Sequence, residues 1–224
     1  MLKNYIIIQL PNKEKKINEL NEREAKEFFQ WFINIIPERL KMLKSSIESN
    51  DKRIASKLDF SPNSLIYLGE WFSKNISTRK RTKKEIRKEK SMLIKFPGVK
   101  PKSWTLTGET MSLCFDIGIY LGTVFTKKFP EIKWTYVTKP KNYINRNWPL
   151  LNQFRVNWSP IRAVTGFVYG LLNGDDNSNG LKKIYNYGVK ELEENWRKRG
   201  KTWIYIGPKK YQKHLMEWEK IGKK

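Results

Sequence analysis

The sequence is poor in the residues that most often do chemistry. Its 224 residues contain one cysteine, Cys114, and one histidine, His214. A single cysteine excludes an internal disulfide and any multi-cysteine zinc site. A single histidine excludes a His-rich metal site and the HExxH motif, and a Ser-His-Asp triad would have to use His214 itself. Cys114 sits inside an apolar run, which reads as a buried, inert thiol and fits a reducing cytosol. Long apolar runs are also missing. The longest, 113–125, is interrupted by Asp116 and is too short to span a bilayer. The apolar patch in residues 1–8 (MLKNYIII) is too short for a signal peptide, and no small-residue cleavage site follows it. These features predict a cytoplasmic chain without a membrane span. Nucleotide motifs fail as well. Gly200, Lys201 and Thr202 look like the end of a phosphate loop, but Asn195 stands where its first glycine belongs, and the segment follows a helical pattern. Gly166 and Gly170 lie within another helical pattern, without a dinucleotide-binding context. No catalytic residue, metal site or cofactor is assigned.

Negative charge is scarce too. Lys and Arg number 45 against 22 Asp and Glu, a net charge of +23. Such a field attracts polyanions: nucleic acid, an anionic membrane surface or an acidic protein. A second reading stands beside it. There are 34 Lys, 11 Arg and 18 Asn, the bias of an AT-rich genome, which raises charge without selecting a ligand, whereas readers of bases lean on Arg. The charge is uneven. Residues 1–60 carry 12 basic and 9 acidic residues, and residues 61–224 carry 33 and 13. Aromatics are plentiful at 13%, which gives the chain a core to build and argues against disorder.

The periodicities predict mostly helix. Residues 5–10 read as a short strand ended by Pro11. Asn21 and Glu24 form a capping box. Ala25, Phe28, Phe29, Phe32, Ile36, Leu40, Leu43 and Ile47 then recur at helical spacing, with Pro37 predicted to kink or split the helix. Ser61 and Pro62 read as an N-cap and first helical residue ahead of Leu65, Leu68, Trp71 and Phe72. Residues 79–102 read as a basic linker or loop. Thr107 caps a central helix over 107–128. On it Cys114, Gly118 and Gly122 share a face that admits close approach of another element. Glu109, Ser112, Asp116, Tyr120, Thr123 and Lys127 form a polar stripe opposite, expected to be solvated. Residues 132–138 alternate as a strand, and 139–158 read as loop with a short extended piece. Ser159 and Pro160 cap a helix to about Leu172, a turn covers 173–177, and a helix covers about 178–199 with Leu181, Ile184, Tyr185, Leu192 and Trp196 on one face. A strand over 202–206 and a last helix from Pro208 complete the reading.

Two basic segments carry the functional reading. The block 79–90 (RKRTKKEIRKEK) holds eight basic and two acidic residues. If helical, its charges spread over more than half the circumference, with Glu85, Ile86 and Glu89 on the remainder. So broad a face suits sequence-independent phosphate contact rather than base readout; the alternative is a solvated linker. The last 28 residues hold ten basic and two acidic residues, interleaved with Trp203, Tyr205, Tyr211 and Trp218. That is the composition of single-strand binders, although Leu215 and Trp218 also fit a helix docked on the core. The nucleic-acid-binding residues read from these segments are Arg79, Lys80, Arg81, Lys83, Lys84, Arg87, Lys88, Arg197, Arg199, Lys201, Lys209 and Lys210. The loop around Asn142, Tyr143, Asn145, Arg146, Asn147 and Trp148 either contacts a ligand or is packed by its own aromatics. One enzymatic pattern remains. Asp116 followed by Glu131-Ile132-Lys133 resembles the acidic and E-x-K elements of a metal-dependent nuclease of the restriction-endonuclease type, in which carboxylates hold Mg²⁺ and the lysine assists water.

Residues 112–122 (SLCFDIGIYLG) followed by Trp134, together with Trp31, Phe32, Glu38 and Arg39, resemble a pattern of uncharacterised small bacterial proteins. The resemblance implies no activity. It implies a bacterial or phage accessory protein rather than a metabolic enzyme, with Asp116 and Tyr120 belonging to its motif. The combined expectation is a single basic α+β domain over 1–224, mostly helical with a small sheet of short strands. Its expected role is non-enzymatic binding of nucleic acid. The alternatives are an immunity or inhibitor-type protein that binds an acidic protein, and the nuclease.

Overall fold

Thr107 opens the helix on which the rest is built. Its hydroxyl accepts the Thr110 amide at 3.3 Å, satisfying a donor that the first turn leaves unpaired. The computed structural model describes residues 5–11, 14–94 and 100–197. Among them are seven helices: α1 (Glu22–Asn50), α2 (Lys52–Ala55), α3 (Ser64–Lys74), α4 (Lys83–Leu93), α5 (Gly108–Lys128), α6 (Pro160–Asn173) and α7 (Gly180–Arg197). Strands β1 (Thr78–Lys80) and β2 (Trp104–Leu106) pair antiparallel, with Lys80 opposite Trp104. Strands β3 (Trp134–Thr135) and β4 (Leu150–Leu151) form a second antiparallel pair. The mostly helical α+β domain expected from the sequence is the one observed. No helix among the described residues is long and apolar enough to cross a membrane.

Helix α5 is buried nearly all round and packs against α1, α6 and α7. Its two glycines make that possible. A Cβ on Gly118 would stand 2.5 Å from the Ile161 Cα of α6, and one on Gly122 would stand 2.1 Å from the Trp134 ring. The small-residue face therefore does what its spacing predicted. Phe72, Leu113, Ile117, Leu121, Phe125, Phe154, Val164 and Leu181 fill the main core around α5. Each such side chain contributes about 1.5–3 kcal/mol by leaving water.

The caps at Asn21 and Ser159 are as expected. Asn21 accepts the Glu24 amide while Glu24 accepts the Asn21 amide, each at 2.9 Å. Ser159 caps α6 ahead of Pro160, and Gly174 ends that helix in the left-handed region at φ +81°. Four local expectations change. Helix α1 is not split at Pro37 but continues through it, with Phe28 and Phe32 before it and Leu43 and Ile47 after it all buried. Helix α3 begins at Ser64 rather than at Pro62. Ser61 lies in the turn before it and accepts the Ser64 amide on its hydroxyl at 3.3 Å. Residues 5–10 pair with no strand; the Ile8 amide donates instead to the Ser112 hydroxyl of α5 at 3.0 Å. The strand expected over 132–138 is confined to Trp134–Thr135.

The polar stripe on α5 is the largest departure. Asp116 is 0% exposed, Ser112 1% and Tyr120 3%, so the middle of this face is not solvated, while Glu109 and Thr123 are half-buried and Lys127 is exposed as expected. Each of the three buried residues binds a remote piece of chain. Ser112 holds Ile8, and Asp116 holds Arg39 and Tyr5. Tyr120 donates to the Ser64 hydroxyl at 2.7 Å and accepts the Phe60 amide at 3.0 Å.

The close approach at Gly118 generates a test by contrast. Gly118→Ala is expected to cost about 1–3 kcal/mol of overpacking, read as a lower thermal midpoint. Gly166→Ala, in α6 with nothing within 4 Å of the added carbon, is expected to be neutral or to stabilise by up to about 1 kcal/mol.

Candidate nucleic-acid interface

The segment 79–94, expected as linker or loop, is a strand followed by a helix. Thr82 caps α4 with a full capping box, its hydroxyl accepting the Glu85 amide at 3.2 Å and Glu85 accepting the Thr82 amide at 2.8 Å. Glu85, Ile86 and Glu89 are half-buried and lie off the cationic arc, on the remainder of the circumference as the spacing predicted. None of the described α4 residues belongs to a core cluster. Ion pairs attach the helix instead. Arg79 grips Glu85 through two nitrogens, at 2.6 and 2.9 Å. Arg81 pairs with Glu89 and donates its Nε to the Trp104 carbonyl at 2.8 Å. The Arg79 hydrogen bonds come first in holding the Glu85 carboxyl down to about 2, with the Thr82 backbone amide second.

These contacts divide the sequence-predicted residues. Arg79 and Arg81 are struts between β1 and α4, so two of the expected phosphate contacts are already committed to carboxylates. Lys80, Lys83, Lys84, Arg87 and Lys88 are exposed, as is Lys90. At 100° per residue the five α4 cations occupy an arc of about 160° that contains no acid. The arc is a little narrower than expected because residues 79–81 precede the helix. Lys88 also lies within electrostatic reach of Glu19, whose carboxyl is held low first by Lys16 and more weakly by Lys88. At the other end of the chain, Arg197 closes α7. Arg199, Lys201, Lys209, Lys210 and His214, with the expected strand over 202–206 and the helix from Pro208, lie outside the described residues.

The Asn-rich loop is a structural clamp. Arg146 donates to the carbonyls of Thr138, Asn18 and Leu20, and the Asn147 amide donates to those of Ile17 and Leu20, both at 2.9 Å. Its polar groups hold residues 17–20 against the body. Cys114 is buried, and burial pushes its thiol up to about 12, so it is a poor nucleophile.

The nuclease pattern is not assembled as a site. Arg39 binds both carboxylate oxygens of Asp116 at 2.7 Å, and Tyr5 donates a further hydrogen bond to one of them. Burial raises the Asp116 carboxyl above its ordinary range against the pull of Arg39 and Tyr5, while Glu131 and Lys133 lie exposed. No group of three or more potential metal ligands occurs among the described residues. Arg39 was missed as the partner of Asp116. Its signal was its position seven residues after Phe32 and four before Leu43, on the apolar face of α1. A second cluster was also missed. Trp104 and Tyr169 stack at 5.8 Å, and the Lys102 ammonium sits 4.6 Å from one ring and 5.5 Å from the other. A groove of about 370 Å³ between α1 and the N-terminal segment, lined by Tyr5, Ile6, Lys41, Met42, Ser45 and Ser46, brings together no catalytic constellation.

Comparison with protein-family models, curated proteins and solved structures finds no match for this chain.

Two outcomes follow from these pairings. Arg39→Met strands the Asp116 charge and is expected to lower unfolding free energy in urea by about 3–5 kcal/mol, most of which Arg39→Met/Asp116→Leu restores. Because the Glu85 carboxyl is depressed on folding, its contribution is present above the ordinary glutamate range and is lost as pH falls toward about 2. Glu85→Gln is expected to reproduce that loss at neutral pH, seen as faster amide hydrogen exchange across α4 with α5 unchanged.

Proposed function

We propose that this protein is a non-enzymatic binder of nucleic acid that contacts the phosphate backbone through the exposed face of α4. The observation that carries the reading is the acid-free arc of Lys83, Lys84, Arg87, Lys88 and Lys90. This face is poorly arranged for helix stability. Lys83 and Lys84 stand in the first turn, where the helix dipole disfavours cations. Lys83 with Arg87, and Lys84 with Lys88, are like-charge pairs four residues apart, each costing about 0.2–0.5 kcal/mol. The acids of the segment lie off the arc and are spent on Arg79 and Arg81. A polyanion laid along the arc relieves the repulsion that remains.

The lysine-rich surface suits phosphate contact without base readout, since two of the three arginine forks of the segment, Arg79 and Arg81, are already occupied. Composition bias alone accounts for the number of lysines. It does not account for their segregation from acids on one helix face. The resemblance to bacterial or phage accessory proteins is compatible with this role.

The test is fluorescence anisotropy with labelled DNA and RNA across a salt series. Binding is expected to persist near physiological salt with a steep negative slope. Replacing Lys83, Lys84, Arg87 and Lys88 together by Gln is expected to reduce that slope by about three, at roughly 0.7–0.9 per lost phosphate contact. A slope unchanged by the four substitutions overturns the assignment of α4. Loss of all binding at physiological salt overturns the nucleic-acid reading and favours an acidic protein partner.

A further inference from the structure

The Trp104–Tyr169 stack lies on the sheet that carries α4, and its surroundings are basic. Lys80 is the cross-strand partner of Trp104, so the two side chains leave the same face of the β1–β2 pair. Lys102, two residues before Trp104, also leaves toward this face and lays its ammonium over both rings. Its partner at 2.5 Å is the neutral Asn173 Oδ1 rather than a carboxylate. The rings are half-buried rather than enclosed, and Lys80 is exposed. Lys80 and Lys83 are three residues apart, so their Cα atoms are separated by no more than about 11 Å. The ring pair thus lies a short chain distance from the start of the α4 ridge, on the face of the β1–β2 pair opposite the one from which Arg79 reaches α4.

Resting on the α4 reading, we infer that the preferred ligand is single-stranded nucleic acid, with a base stacked on the Trp104–Tyr169 pair and its flanking phosphates held by Lys80 and Lys102. A duplex keeps its bases stacked on one another and offers this surface only phosphates. A single strand offers unpaired π-faces, which stack on aromatic rings with little regard to sequence. Lys102 occupies the ring face in the free protein. Its amide partner Asn173 holds it by a neutral hydrogen bond, so a phosphate competes for the ammonium with a full negative charge. The swing that brings Lys102 onto the phosphate uncovers the ring. The competing reading is that Lys102, Trp104 and Tyr169 merely fasten β2 to α6.

The experiment measures binding of oligo(dT) and of a duplex of the same length near physiological salt, for the unaltered protein and for Tyr169→Leu, Tyr169→Phe and Lys102→Met. The unaltered protein is expected to favour oligo(dT). Tyr169→Leu is expected to weaken oligo(dT) binding about tenfold and duplex binding less than about twofold, in line with the worth of one stacked base. Tyr169→Phe is expected to retain the preference, and Lys102→Met to reduce it. Thermal melts of the variants accompany the titrations. Equal affinity for both ligands, with Tyr169→Leu changing neither, overturns the stacking site and leaves the α4 reading standing. Equal loss on both ligands with a lowered melting temperature shows the cluster to be structural and also overturns it. Absence of binding to either ligand overturns this inference and the α4 reading together.

Discussion

A carboxylate with no access to water has to be neutralised inside the core, and Asp116 sets that demand at the middle of the central helix. Arg39 meets it from α1 with a two-nitrogen grip on both oxygens, and Tyr5 adds a third hydrogen bond from the N-terminal segment. Arg39 also donates to the Ile6 carbonyl, so one guanidinium joins three parts of the chain. One turn to either side, Ser112 and Tyr120 repeat the device with Ile8, Phe60 and Ser64. The result is a ladder of polar rungs at four-residue spacing. It fixes how α1, the N-terminal segment and the start of α3 sit on α5. Apolar packing supplies most of the favourable energy, but it is tolerant of sliding. Paired buried charges are not, because a displaced partner leaves a charge unmet.

The same chemistry, moved to the surface, produces the candidate interface. Buried pairing of Arg39 with Asp116 consumes charge to define the fold. Exposed pairing of Arg79 with Glu85 and half-buried pairing of Arg81 with Glu89 consume charge to hang α4 on β1. What remains after both is a helix face with cations and no acids. The arginines of this segment that could read bases are mostly spent as struts, and the lysines are left free. That division supports backbone contact, and the stacked Trp104–Tyr169 pair on the same β1–β2 ribbon supports a partner whose bases are unpaired.

Much of the fold is legible in local sequence. The caps at Asn21, Thr107 and Ser159, the apolar spacing of α1 and the glycines of α5 all encode structure within a few residues, and each appears where expected. The readings that change depend on partners far away in the chain. Asp116 and Tyr120 look like a solvent stripe until residues 5, 39, 60 and 64 arrive to satisfy them. Residues 5–10 have strand composition, but the hydrogen-bond acceptor they meet is a serine side chain. Pro37 is a helix breaker by local rules, and burial on both sides of it overrides the rule. In the candidate site, the separation of the cations from Glu85, Ile86 and Glu89 around α4 was legible from spacing. The commitment of Arg79 and Arg81 was not, because charge counts do not say which cations already have partners.

Lysine acetylation footprinting, with and without oligo(dT) at physiological salt, reports which ammonium groups the ligand covers. If nucleic acid lies along α4, Lys83, Lys84, Lys88 and Lys90 are protected and the exposed lysines of α1 are labelled as in the free protein. Equal labelling of α4 in both states, or protection confined to Lys26, Lys41 and Lys44 of α1, contradicts that placement.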